Sequence, residues 1–283
     1  MIINEFRMTV DSRSVNESFS RATVADILKF VENLAPRYMK ESWDNVGLLC
    51  GSKTGEVTKI LVALDPFEHV CREAADIGAQ LIVTHHPLIF QPAKSVTDET
   101  SIGRAIMMLC RSGISAINAH TNLDQAPGGV NDVLAATLGL EKIQVISPSG
   151  VDAEGRDWGL LHCGEISEQP LEDFLAAVKQ KLGSTGLRYV DGGKPVHKVA
   201  VGGGSCAGGM LEALDAGCDT FVTADVKYNQ FWDAHDLGLN LIDAGHFHTE
   251  NPVVPVLAAK IAAAFPEIEV KISESHTDCM KFY

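Results

Sequence analysis

The apolar residues of the chain follow two alternating periods, which predict helices and strands in turn. Between Val24 and Leu34 they recur every three to four residues, and Thr23 with Asp26 has the pattern of a helix capping box. Short, continuous apolar runs elsewhere are typical of buried strands. The predicted strands are 59–64, 80–83 and 114–118, and the predicted helices after them are 67–77, 102–111 and 129–138. This alternation predicts an α/β fold.

The segment from about 140 to 195 breaks this pattern, because it has turn-rich stretches and few clean periods. It predicts the start of a second domain or an insertion, and the alternation resumes at 198–201. We therefore expect two related α/β domains with mixed sheets on either side of a shared cleft. The first domain is predicted to comprise 20–138 and 245–283, and the second 139–244.

A weak internal repeat supports this duplication. Residues 77–84 (IGAQLIVT) align with 216–223 (AGCDTFVT), and 113–119 (GISAINA) align with 238–244 (GLNLIDA). Both alignments occur in the same order along the chain, and each is followed by polar residues that can carry chemistry. The repeat predicts that the strand ends of the two halves meet at one cleft.

Composition narrows the class of protein. The net charge of −14 argues against a nucleic-acid surface or an anionic membrane as the main partner, although a bound cation can still attract a nucleotide. Seven dispersed cysteines without a CxxC pair predict reduced, buried thiols, and Cys206 in its glycine-rich turn is a candidate reactive thiol. No stretch approaches the roughly 20 apolar residues of a membrane helix. We expect a cytoplasmic protein with a loosely ordered extension up to about Ser20.

Two adjacent histidines, His85 and His86, directly follow the predicted strand 80–83. Ligands of open α/β sheets bind at the carboxyl ends of the strands, and neutral imidazole is a common metal ligand. Two successive side chains on a strand point to opposite faces, so both histidines cannot face one apolar core. The pair therefore predicts a metal site.

Further candidate ligands follow two other predicted strands. His246 and Glu250 come after the strand 239–243, and they can converge if a helix toward Ala264 begins at Thr249 or just before it. Asp124 can bridge two cations or simply satisfy loop amides. His120 is a candidate ligand or a group that orients one.

Three other segments can complete a pocket. Asp44 and Asn45 can hold a ligand histidine, line the pocket or form a turn before a strand. The glycine-rich loop 202–209, with Ser205 in it, can cradle an anion through its backbone amides or simply form a tight turn. Asp225 lies at the next strand end and can line a substrate pocket. The remaining histidines are predicted to be structural or at the surface: His69, His162, His197, His235 and His276.

Five motifs in order resemble the Nif-three-like dinuclear-metal family, also known as GTP cyclohydrolase I type 2 homologues. They are 42–48 (SWDNVGL), 84–88 (THHPL), 120–131 (HTNLDQAPGGVN), 223–228 (TADVKY) and 245–250 (GHFHTE). The similarity runs from about residue 23 to the C-terminus. In this family the fourth motif has a glycine at the position of Ala224. This difference affects the backbone of the loop, not the metal site.

The resemblance implies two α/β domains around a dinuclear metal centre and assembly into a homohexamer. Carried over by position, the metal ligands are His85, His86, Asp124, His246 and Glu250. The resemblance implies two divalent ions; a site of histidines and carboxylates accepts zinc, manganese or iron.

From these ligands we expect a metal-dependent hydrolase that acts on a small, nucleotide-like substrate, with GTP ring opening as one candidate reaction. The alternatives are a non-catalytic protein that stores or delivers metal, or an interaction scaffold. Metal content and turnover distinguish these hypotheses.

Overall fold

The computed structural model describes residues 21–283, and within them it has two mixed β-sheets covered by helices and a small antiparallel sheet of two strands, Gly150–Val151 and Asp157–Trp158. The predicted loosely ordered extension lies outside the described residues. The strands are β1 (Gly47–Cys50), β2 (Lys59–Ala63), β3 (Leu81–Thr84), β4 (Ser115–Asn118), β5 (Glu141–Ile146), β6 (Gly150–Val151), β7 (Asp157–Trp158), β8 (Leu161–Gln169), β9 (Arg188–Val190), β10 (Val196–Val201), β11 (Thr220–Thr223), β12 (Asn240–Asp243) and β13 (Glu269–Ile272). The predicted α/β class is confirmed.

The helices lie mainly between the strands, as the sequence periods predict. They are α1 (Val24–Leu34), α2 (Glu68–Asp76), α3 (Ser101–Ser112), α4 (Thr121–Gln125), α5 (Val130–Leu138), α6 (Leu171–Leu182), α7 (Met210–Asp215), α8 (Tyr228–Leu237), α9 (His246–Glu250) and α10 (Val253–Ala264). None of those in residues 21–283 combines the length and the apolar character that a bilayer-crossing segment requires.

The first sheet has the strand order β1-β4-β3-β2-β13, and the second has the order β5-β8-β10-β11-β12-β9. In the first sheet only β1 is antiparallel to its neighbour, and in the second the central strands β10, β11 and β12 are parallel. Strand β13 returns from the C-terminus to the first sheet, as the predicted discontinuous first domain requires. The domain boundaries themselves stay a prediction.

Both sheets are covered on both faces, which explains why their central strands read as continuous apolar runs. Helices α1 and α10 bury one face of the first sheet, and α2 with α3 bury the other. On the second sheet, α5 and α6 pack on one face and the residues of α7 and α8 on the other. The central strands can therefore expose polar groups only near their ends.

The predicted internal repeat is visible in the hydrogen-bonded register. Strands β3 and β4 are parallel neighbours with Thr84 beside Asn118, and β11 and β12 are parallel neighbours with Thr223 beside Asp243. The match extends to one polar detail: the Nζ atoms of Lys59 and Lys198 bind the carbonyl oxygens of Ile77 and Ala216, at 3.0 and 2.5 Å. The two halves thus share one strand arrangement, and their strand ends are comparable positions.

The cap of α1 provides a test of the local sequence signals. Thr23 Oγ1 accepts from the Asp26 amide at 3.4 Å, while Asp26 Oδ2 accepts from the Thr23 amide at 2.8 Å. Thr23→Ala removes one acceptor for an otherwise unsatisfied helix amide, so we expect unfolding to require about 1 kcal/mol less free energy. Chemical denaturation measures this, with Thr54→Ala in an exposed loop as the control. Equal unfolding midpoints for the two variants would contradict the assigned cap.

Candidate metal centre

The predicted ligands meet where strand ends of the two sheets face each other. His85 and His86 follow β3, and Asp124 lies on α4 directly after β4. His246 and Glu250 begin and end α9, which follows β12 of the second sheet. The site is therefore assembled from both sheets, at the edge where open α/β sheets bind ligands.

His85 lies at the bottom of the site and is fully buried. Its Nδ1 lies 3.0 Å from the carbonyl oxygen of Ala119, so Nδ1–H donates and Nε2 keeps its lone pair. Nε2 lies 3.5 Å from Oδ1 of Asp124 and 3.7 Å from Oε2 of Glu250. These separations are too long for good hydrogen bonds and leave room for an ion between the atoms.

His86 and His246 come from different sheets and face the same carboxylate. Nε2 of each lies 3.0 Å from Oε2 of Glu250, and the two Nε2 atoms are 3.3 Å apart. Nδ1 of His86 donates to Asp65 at 2.7 Å, and Nδ1 of His246 donates to Asp225 at 2.7 Å. Both rings are thus held with Nε2 toward the centre, the arrangement by which carboxylates orient metal-binding histidines.

His120 is held in the same way by Asp44. Its Nδ1 donates to Asp44 Oδ1 at 2.8 Å, and the other carboxylate oxygen accepts from the amide and hydroxyl groups of Thr121 at 3.0 and 2.6 Å. Burial alone would raise the pKa of Asp44, but the hydrogen bonds from His120 and Thr121 outweigh it and hold this pKa well below its usual range. Asp44 is therefore an ionised partner that fixes the ring of His120.

Three overlapping groups of side chains bring their ligand atoms within 4.8 Å of one another. They are His85 with His86 and His120, His86 with His246 and Glu250, and His85 with Asp124 and Glu250. Glu250, His85 and His86 each belong to two groups and Asp124 to one, and the bridging role of Asp124 stays a prediction. His120 joins a group as a possible ligand.

The buried polar atoms of this cluster fit a metal. His85 Nε2, Asp124 Oδ1 and Glu250 Oε2 are all inaccessible to solvent. The first two have no hydrogen-bond partner among the described residues, and the neighbours of Glu250 Oε2 are imidazole nitrogens, with those of His86 and His246 at 3.0 Å. A buried polar group without a partner is costly, and nitrogen and carboxylate atoms in this arrangement are the donor set that divalent transition metals prefer. The residues present therefore match the metal site that the sequence predicts.

The electrostatics of the cluster point the same way. Burial, assisted by the nearby carboxylate of Glu250, raises the pKa of Asp124 to about 8. Burial would lower the pKa of His86, but the hydrogen bonds to Asp65 and Glu250 raise it to about 10. Burial would raise the pKa of Glu250, yet the neighbouring histidines hold it well below its usual range. Protons on the imidazoles thus balance the buried carboxylate charge, a role that a bound divalent cation would take over.

Of the two interpretations of the glycine-rich loop 202–209, the structure favours the tight turn over an anion cradle at its first three residues. The amides of Gly202, Gly203 and Gly204 already donate to Val222 O, Asn131 Oδ1 and Thr249 Oγ1. A Cβ atom on Gly204 would lie 2.1 Å from Oε1 of Glu250, and this residue has a φ of +63°. The loop therefore needs glycine so that the backbone can approach the carboxylate of Glu250.

Two predicted pocket residues and one thiol do not join the candidate ligand groups. The side chain of Asn45 donates to the carbonyl oxygen of Ile89 at 2.6 Å, which ties it to the segment that follows the histidine pair. Ser205 is exposed and lines a separate cavity of about 280 Å³ with Leu161 and Cys206. Burial raises the pKa of the Cys206 thiol, whose Sγ donates to Gly203 O at 3.1 Å, so this cysteine has a structural role rather than a reactive one.

Sequence reasoning also misplaced a helix boundary and missed one carboxylate. The helix toward Ala264 does not begin at Thr249; a break at Asn251 and Pro252 separates α9 from α10. Asp65, which holds His86, was not predicted at all. It lies just beyond β2, so the rule that led to the histidine pair applies equally to this residue.

Two mixed α/β sheets that share a buried cluster of histidines and carboxylates at their strand ends define an α/β protein with a candidate metal centre. The sequence model of the Duf34/NIF3 (NGG1p interacting factor 3) family matches residues 22–279. The chain belongs to this family, and the resemblance seen in its five motifs is confirmed.

Individual relatives agree with the family assignment. The chain is 36% identical to a GTP cyclohydrolase 1 type 2 homolog of Clostridium perfringens over 260 residues, which cover 91% of this chain and 98% of that protein. Staphylococcus aureus hypothetical protein SA1388 has a similar crystal structure, with a TM-score of 0.86 and 31% identity over 93% of this chain and 100% of that chain. A Bacillus cereus protein related to NIF3 gives a TM-score of 0.86 at 26% identity, with coverage of 93% and 100%.

Proposed function

We propose that this protein is a metal-dependent hydrolase that holds two divalent cations and acts on a nucleotide-like substrate. One observation carries the proposal: two buried ligand atoms without hydrogen-bond partners, His85 Nε2 and Asp124 Oδ1, lie beside the carboxylate of Glu250 among histidine rings that are each fixed through Nδ1. Such an arrangement is costly in free energy when no ligand is bound, and its donor atoms suit a cation.

The overlapping groups divide naturally between two ions. His85, Asp124 and Glu250 would hold one, and His86, His246 and Glu250 the other, with His120 available beside His85 and His86. When bound, a pair of divalent cations polarises a carbonyl or phosphoryl group and activates water for attack. Zinc, manganese and iron all suit these donors, so cellular availability decides the occupant.

The rim of the site supports a substrate with a planar ring. Trp43 and Phe90 are 59% and 43% exposed, and their rings meet edge to face with centroids 5.8 Å apart. Both rings also lie about 6 Å from that of His120, at 6.3 and 6.0 Å. Exposed aromatic rings stack on nucleobases, so this pair can hold a base while the reacting atom faces the centre. The name of the Clostridium perfringens relative also favours a nucleotide such as GTP.

Metal analysis of the purified protein tests the first half of the proposal. We expect about two equivalents of zinc, manganese or iron in the wild-type protein and a clear loss in the His85→Ala/Glu250→Ala double variant, because each group loses a ligand. His235→Ala, on the exposed face of α8, is the control and should keep the wild-type content. A wild-type protein that binds no metal even after reconstitution would refute the proposal.

Turnover tests the second half. Metal-loaded wild-type protein is expected to hydrolyse a member of a panel of purine and pyrimidine nucleotides, and His86→Ala is expected to lose this activity while it still folds. The His235→Ala variant should remain active. Metal binding without turnover of any nucleotide would favour a protein that stores or delivers metal, or an interaction scaffold.

The family resemblance extends the proposal to assembly and location. We expect a homohexamer in the cytoplasm, without nucleic acid as a main partner because the net charge is −14. Light scattering coupled to size-exclusion chromatography measures the first property, and cell fractionation the second.

A further inference from the structure

We propose that the C-terminal tail, defined as residues 273–283, positions metal ligands from both sheets. In this inference, which rests on the proposed metal centre, His276 acts through Asp65 on His86, and Asp278 acts through His248 on α9. Neither tail residue touches the ligand cluster itself. They are positioning residues, and the sequence pattern assigned them no role beyond a structural or surface one.

The tail is anchored where it leaves the first sheet. The carboxylate of Glu73, on α2, accepts from the hydroxyl groups of Ser273 and Ser275 at 2.5 and 2.6 Å. It also accepts from the amides of Glu274 and Ser275 at 2.9 and 3.2 Å. Because one carboxylate binds three successive residues, the chain direction after β13 is fixed before the tail reaches the site.

His276 then completes the hydrogen bonding of Asp65. Its Nε2–H donates to Asp65 Oδ2 at 2.8 Å, while Asp65 Oδ1 accepts from His86 Nδ1 at 2.7 Å. The ring of His276 is held between those of Phe67 and Phe247, with centroid distances of 5.8 and 5.3 Å, and its side chain is only 5% exposed. With both oxygens bound, Asp65 cannot rotate away, so His86 keeps Nε2 toward Glu250.

Asp278 reaches the other sheet. Its Oδ2 lies 3.2 Å from Nε2 of His248, whose Nδ1 lies 3.2 Å from the carbonyl oxygen of Leu182, just before the loop that leads to β9. His248 sits between His246 and Glu250 on α9, which is only five residues long. Farther along, the ring of Phe282 packs against Gly186. The tail therefore ties the strand ends of the first sheet to the helix that carries the second sheet's ligands.

A cobalt(II) titration of the full chain tests this inference. We expect His276→Ala to raise the dissociation constant for Co²⁺ by about 10- to 100-fold, the usual effect of removing a group that orients a ligand. The visible absorption spectrum of bound Co²⁺ should also change, because the ring of His86 would lose its fixed orientation. His276→Gln should restore both, since its amide can donate to Asp65, and Asp278→Ala, which removes the contact with His248, should weaken binding through α9.

Ser275→Ala is the matched control, because it loosens the same tail at Glu73 without touching Asp65 or His248. It should leave the Co²⁺ affinity and spectrum at wild-type values, with thermal unfolding recorded for every variant. An equal loss in Ser275→Ala would mean that docking of the tail matters but the two named residues do not, which overturns the inference.

The remaining outcomes separate this inference from the proposed function. Wild-type protein that binds Co²⁺ with no change in His276→Ala overturns the inference alone. Wild-type protein that binds no metal overturns the proposed function and the inference together. Should His276→Ala fail to fold, Asp278→Ala makes the same comparison, and unchanged Co²⁺ binding in it would be equally decisive.

Discussion

Glu250→Gln is expected to abolish binding of both metal ions, whereas Asp124→Asn is expected to abolish binding of one. Glu250 lies in two of the three candidate ligand groups and its Oε2 lies 3.0 Å from two histidine nitrogens, but Asp124 lies in one group only. An amide keeps the shape of the side chain but loses the charge that balances a cation. We expect affinity to fall by more than about 100-fold at each site that loses its carboxylate, beyond the usual effect of an orienting partner.

The measurement is the stoichiometry of bound metal, by elemental analysis and by calorimetric titration with zinc or manganese. Glu172→Gln, in the first turn of α6, is the control for a glutamate outside the site and should bind metal as the wild-type protein does. Loss of one ion from each variant would mean that Glu250 is not a ligand of both ions. Retention of both ions by Glu250→Gln would remove this residue from the ligand set.

Gly204→Ala is expected to lower both the stability of the protein and its affinity for metal. The new Cβ would lie 2.1 Å from Glu250 Oε1, and alanine would have to adopt a φ of +63°. The left-handed conformation costs about 1–2 kcal/mol for a residue with a side chain, and overpacking adds about 1–3 kcal/mol. Glu250 cannot move aside without leaving His86 and His246, so metal affinity should fall together with stability.

Gly208 provides the matched control, since it lies in the same loop and a Cβ there meets nothing within 4 Å. Denaturation and metal titration of both variants should show a large loss for Gly204→Ala and almost none for Gly208→Ala. If the two variants were equally stable and bound metal equally well, the close approach of the loop to Glu250 would not be a property of the protein in solution.

The sequence predicts the elements best where one physical constraint dominates. Strand β3 is buried on both faces, so its apolar run is unambiguous, and the polar pair after it can only lie at the sheet edge. The capping box at Thr23 is likewise a purely local signal. In contrast, β8 alternates poorly because its first half is buried and its second half is largely exposed, so the middle of the chain gave no clear period.

The arrangement around the ligands depends on contacts between distant parts of the chain. Asp65 and His276 are separated by 211 residues, and His120 and Asp44 by 76. No local pattern tells which carboxylate will face which imidazole. The sequence does not reveal the role of Gly204 either. A glycine-rich turn has the same sequence pattern whether its amides are free to bind an anion or its missing side chain makes room for a carboxylate.

The shared register of the two halves has a consequence for how the centre arose. By that register, the position of His86 corresponds to Asp225, and the position of Asp65 corresponds to Gly204. In the first pair, one half has the candidate ligand His86 and the other has Asp225, which accepts a hydrogen bond from His246. In the second pair, one half has Asp65, which accepts from His86, and the other has Gly204, whose missing side chain leaves room for Glu250. The duplicated strand ends have thus diverged into complementary roles. Two of the three candidate ligand groups draw on both halves, so either half alone would lack the residues for a complete centre.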